Sequence, residues 1–89
     1  MKIDYTVQVW REASQFIAHA MPLDLASSGP TPEAARHAVD EAVRLFLVAA
    51  SEHGTLTEVL RDAGYRRTGG TWRSPDWFGI EQRSCLAKA

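Results

Sequence analysis

An α+β fold is what this chain predicts: a small antiparallel sheet in β-β-β-α-α-β order, with one long helix packed on one face. Three observations carry that expectation. Two period-two runs follow each other near the start, at residues 3–10 and 15–21. Residues 29–35, Gly-Pro-Thr-Pro-Glu-Ala-Ala, then switch the chain from strand to helix. From there one long stretch keeps helical period to about His53.

Each element has a local reason. Ile3, Tyr5, Val7 and Val9 alternate with Asp4, Thr6, Gln8 and Trp10, as a half-buried strand requires. Arg11-Glu12-Ala13-Ser14 is a short polar break, and Phe16, Ala18 and Ala20 then alternate with Gln15, Ile17, His19 and Met21. Two such runs across so short a break form an antiparallel hairpin. Apolar residues on both faces of the second strand place it inside the sheet, and Pro22 ends it. Leu23 to Ser28 supply a third, short strand.

Thr31 is a suitable N-cap, Pro32 suits the first helical position, and Glu33 favours the positive end of the helix dipole. Ala35, Ala38, Val39, Ala42, Leu45, Phe46 and Ala49 form an apolar stripe. Glu33, His37, Asp40, Glu41 and Arg44 form the solvated face, with Asp40 and Arg44 spaced to pair. Leu47 and Val48 fall on the polar side, so the second half of the helix needs a cover. Gly54 caps this helix, and Thr55-Leu56-Thr57-Glu58 is a capping box that opens a second, short one, stopped by Gly64. Gly69-Gly70 suits a tight hairpin between residues 65–68 and 71–73. Trp77 to Ala87 is expected as a last extended segment, with Ile80, Gln82, Ser84 and Leu86 on one side.

The 89 residues fit one domain, 1–89, whose folding buries only about 60–65% of the unfolded surface, which leaves a thin core. Hydrophobic content of 45% and charge of 24% suit a soluble, ordered protein rather than a disordered one. A net charge of −1 argues against a broad nucleic-acid footprint. Charge is nevertheless uneven: residues 1–54 hold four Lys/Arg against seven Asp/Glu, and residues 55–89 hold six against four. The single Cys85 excludes an intrachain disulfide and fits a reducing, cytoplasmic setting. With neither a signal core nor an 18-residue apolar run, no membrane association is expected.

No catalytic, cofactor or metal site is expected. His19, His37 and His53 have no i,i+4 pairing and no completing ligand set. Cys85 has no evident base, and Asp4, Glu12 and Asp24 stand singly among polar positions. Neither a nucleophile elbow nor a phosphate-binding glycine motif occurs. The residues expected at an interaction surface are Trp10, Leu47, Val48, Trp72, Trp77 and Phe78, large apolar groups of the kind that anchor interfaces.

The chain resembles the HicB-type antitoxin family. The matching pieces are Tyr5-Thr6-Val7-Gln8-Val9, Phe16-Ile17-Ala18-His19-Ala20, Pro22, and Ser28-Gly29-Pro30-Thr31-Pro32-Glu33-Ala34. They continue with Val39-Asp40-Glu41-Ala42-Val43, Leu60-Arg61-Asp62-Ala63-Gly64-Tyr65 and Gly69-Gly70-Thr71-Trp72. The order and spacing of these pieces, which span most of the chain, are more specific than any one of them. The resemblance implies a partial RNase H-like fold without nuclease activity, homo-oligomerisation, and a small basic RNA-cleaving toxin as partner. It resembles short members, without the separate C-terminal DNA-binding domain that others carry, so direct DNA binding is not expected. The turn at residues 11–14 lacks the family's usual glycines, and the segment between Pro22 and Gly29 is short. Two alternatives to an antitoxin-type binding protein remain open: a stand-alone self-associating module, and a small RNA-binding protein using the hairpin from Arg66 to Arg73.

Overall fold

The alternating run at the start of the chain forms two strands, β1 (Lys2–Ile3) and β2 (Thr6–Glu12), which belong to different sheets. The handover falls at Asp4 and Tyr5. The Asp4 N–H donates to the Trp72 carbonyl at 3.0 Å, holding β1 to a late part of the chain, while Tyr5 already packs with the residues beneath β2. The structure, a computed structural model, describes residues 1–88. Within them it is α+β, with two helices and two three-stranded sheets.

The first sheet has the order β2, β3 (Gln15–Met21), β4 (Leu25–Gly29), all antiparallel, with β3 central. β2 and β3 pair from Thr6 opposite Met21 to Glu12 opposite Gln15, leaving a two-residue turn at Ala13-Ser14. Ala13 takes a φ of 52° there, the left-handed region that disfavours any residue with a Cβ. Gly29, at the end of β4, is required by contact instead. A Cβ at that position would lie 2.8 Å from the Ala34 Cβ and 2.9 Å from the Ala35 nitrogen. Strand and helix therefore meet without an intervening side chain.

The helix α1 (Pro32–Glu52) begins as its residues dictate: the Thr31 hydroxyl accepts from the Ala34 N–H at 3.0 Å, with Pro32 first and Glu33 in the first turn. It ends at His53 and the left-handed Gly54. Its buried line is Ala35, Val39, Val43 and Ala50, of which the first three pack in the cluster beneath the sheet. The rotation differs from the expected stripe, because Leu45 is 53% exposed and Ala49 is also outside. Leu47, expected on the polar side, instead turns inward and touches both hydrophobic clusters. The Asp40–Arg44 pair does not form either. Tyr5 donates its hydroxyl to Asp40 at 2.6 Å, and Arg44 pairs with Glu41 at 2.6 Å.

The second helix, α2 (Leu56–Asp62), starts without the expected capping box: the Thr55 hydroxyl accepts no cap N–H and donates backward to the Ala50 carbonyl at 3.3 Å. The hairpin β5 (Arg66–Thr68) and β6 (Thr71–Arg73) turns at Gly69-Gly70, where Gly69 has a φ of 61°. β6 pairs with β1 in parallel as well, so the second sheet has the order β1-β6-β5. Leu60, Tyr65 and Trp72 form the core between this sheet and α2. Residues 74–88 contain no regular element, so the extended strand expected within 77–87 is not formed. Among the described residues no helix is long and apolar enough to cross a membrane.

Candidate protein-binding surface

Alternation gives the first sheet a second face. Val7 and Val9 on β2, Phe16, Ala18 and Ala20 on β3, and Leu25 on β4 pack toward α1. Their neighbours Thr6, Gln8 and Trp10, with Ile17, His19 and Met21, therefore point the other way. The register places Thr6 opposite Met21, Gln8 opposite His19 and Trp10 opposite Ile17. No helix covers these three rows.

The middle row is polar and tied together. The Gln8 amide lies 3.2 Å from His19 Nδ1, and His19 Nε2 lies 2.6 Å from Asp24 Oδ1. Because an amide nitrogen can only donate, this network assigns the ring proton to Nε2, donating to Asp24. Asp24 sits in the left-handed region, with a φ of 60°. The Trp10 ring meets the His19 ring edge-on, with centroids 6.2 Å apart, and the Trp10 indole donates to Glu12 at 2.9 Å. Both His19 nitrogens are occupied in this arrangement, so the ring offers no lone pair to a nucleophile or to a metal ion. The described residues contain no group of three or more His, Cys, Asp or Glu placed to hold a metal.

The tail supplies the rest. Trp77, Phe78, Gly79 and Ile80 stand over Thr6, Gln8 and Met21, and together they enclose a mostly apolar groove of about 590 Å³. Trp10 is 40% exposed, Trp77 47%, Ile80 81% and Phe78 97%. The tail therefore overhangs the sheet without sealing it.

Of the six residues expected at an interaction surface, Trp10, Trp77 and Phe78 share this side of the molecule. Val48 is exposed, but on the far side of α1: at 100° per residue it points opposite Val39, which faces the sheet. The other two are corrected by burial. Trp72 is 1% exposed at the centre of the second core and presents no surface, while Leu47 is half-buried and packs against both cores. Ile17, Met21 and Ile80 complete the surface. The apolar residues on both phases of β3 signalled the first two, and they reflect an open face as much as a central strand. Ile80 belongs to the tail's alternation, whose pattern predicts a strand.

No family model, no curated protein and no solved structure matches this chain. The family resemblance rests on the quoted residues alone.

Proposed function

We propose that this chain is a non-enzymatic, antitoxin-type binding protein that acts by masking a partner with the outer face of the β2-β3-β4 sheet and the overhanging tail. The observation that carries the reading is the grouping of exposed Trp10, Trp77, Phe78 and Ile80 on one side, three of them 47% or more exposed and two of them tryptophans. Clustered aromatic and aliphatic groups with a polar rim are the ordinary make-up of a protein-binding patch. Glu12 and Asp24 stand at that rim, the latter carboxylate 84% exposed, and suit a basic partner. The HicB-type resemblance supplies the partner class, a small basic RNA-cleaving toxin, and the single Cys85 suits a cytoplasmic setting.

The test is co-purification of the tagged chain with the product of the adjacent reading frame. Trp10→Ala combined with Phe78→Ala is expected to release that product, whereas Leu45→Ala combined with Val48→Ala, on the far side of α1, is expected to retain it. Retention by the first pair together with release by the second would place the contact elsewhere. A neighbour that never binds would remove the antitoxin reading. Self-association is the second reading, favoured by the open outer edge of β2. Light scattering on the purified chain distinguishes it, since it requires an oligomer in the absence of any other protein.

A further inference from the structure

The hairpin β5–β6 places two arginines where a sheet normally avoids them. Arg66 is directly opposite Arg73 in the antiparallel register, and like charges opposed in this way destabilise a sheet. Alternation points both away from the second core, because their neighbours Arg67 and Trp72 form the next pair and Trp72 is buried. The other two arginines nearby are occupied: the guanidinium groups of Arg61 and Arg67 lie 6.0 and 5.8 Å from the Trp72 ring centre. Arg66 and Arg73 have no such role. Among the described residues neither has a hydrogen-bond or ion-pair partner.

These two side chains line a groove of about 390 Å³ on the side of the molecule formed by the hairpin and the start of the tail. Thr68 adds a hydroxyl to its wall, the Ser74 hydroxyl donates to the Pro75 carbonyl at 3.2 Å, and Asp76 stands there too, without an ion pair to either arginine. Two guanidinium groups against one carboxylate leave the groove with one surplus positive charge. We propose that the Arg66–Arg73 pair binds a phosphate group. Two planar forks on adjacent strands can each engage two oxygens of a tetrahedral anion, with the Thr68 hydroxyl donating a further bond. A carboxylate has only two oxygens and is satisfied by one arginine. The groove is also predominantly polar, which disfavours a peptide that would need an apolar anchor. The site is separate from the apolar outer sheet face and holds whether or not that face binds a toxin.

The experiment is amide NMR titration of the full chain with three probes: inorganic phosphate, a single-stranded RNA decamer and decaglutamate. Phosphate is expected to shift signals confined to residues 64–76. Arg66→Ala with Arg73→Ala is expected to weaken that binding by about tenfold or more. Asp76→Asn is expected to tighten it, and Arg36→Ala, on α1, to leave it unchanged. If the source is nucleic acid, the decamer binds more tightly than phosphate, with log affinity falling against log salt at a slope of about −1.4 for two contacted phosphates. A decamer that binds no tighter than phosphate keeps the phosphate site and assigns it to a small phosphate ester. Decaglutamate binding as tightly as the decamer would make it a carboxylate site on an acidic partner and overturn the proposal. Phosphate shifts that are absent, lie elsewhere or survive the double variant would do the same.

Discussion

The two hydrophobic cores are built on opposite plans. Beneath β2-β3-β4 the buried residues are Ala18, Ala20, Ala35, Val39 and Val43, so sheet and helix approach closely and share many small contacts. Around β6 they are Leu60, Tyr65 and Trp72, one large ring with two supports. The first plan resists deletion, since no single side chain fills much volume, but tolerates no insertion. The second has the converse weakness. Leu23 and Leu47 belong to both cores and join them.

The largest expected effect breaks the second core. Trp72→Ala removes its central ring, and truncation of a buried aromatic costs about 3–5 kcal/mol, a large share of the ~5–15 kcal/mol that holds a domain together. Urea denaturation should show that loss. Hydrogen exchange should show it concentrated at residues 2–4 and 56–73 rather than in the first sheet. A loss spread evenly over both regions would mean that the cores form one cooperative unit.

Next comes insertion into the first. Gly29→Ala puts a methyl 2.8 Å from the Ala34 Cβ and 2.9 Å from the backbone nitrogen of Ala35, and overpacking of this kind costs about 1–3 kcal/mol. Gly70→Ala is the control, since a Cβ there meets nothing within 4 Å. Equal denaturation midpoints for the two variants would refute the close-packed account of the strand–helix junction.

The mildest effect compares a tyrosine at each core. Burial, with a smaller contribution from the hydrogen bond to Asp40, pushes the Tyr5 phenol from 10.0 up to about 12. Burial, followed by the nearby Asp4 charge, does the same to Tyr65, whose hydroxyl donates to the Asp4 carbonyl. A raised phenol pKa means that the folded chain holds a proton which the unfolded chain releases. The associated stability is therefore fully present below pH 10 and is lost as pH rises through about 12. Ultraviolet titration should find no phenolate near pH 10 in the folded protein. Tyr5→Phe and Tyr65→Phe should each flatten the alkaline fall in stability.

Local chemistry made much of this legible. The α1 boundaries follow from Thr31, Pro32 and Gly54, and the hairpin at Gly69-Gly70 follows from its glycines. What sequence could not show was competition between distant partners. Ile3 continues the alternation of Val7 and Val9, yet its strand is captured by β6, whose residues lie at the other end of the chain. Leu47 sits among polar positions on a helical wheel, yet the second core draws it inward. Thr55 fits a capping box, yet its hydroxyl donates to the Ala50 carbonyl and makes no cap bond to α2. At the binding surface, Trp10, Trp77 and Phe78 were accessible as exposed aromatics. Trp72 was not separable from them, because burial depends on which face of the hairpin meets α2.

The parallel pairing of Lys2 and Ile3 with Thr71 and Trp72 also orders events during synthesis. β1 precedes both helices in the chain, and its partner β6 is translated only after them. Until then Ile3 and Leu47 lack the ring that covers them, and a chain cut short before Trp72 keeps them uncovered. Such exposed surface is what chaperones and proteases recognise. The cover over Ile3 and Leu47 therefore arrives only with the hairpin that carries Trp72.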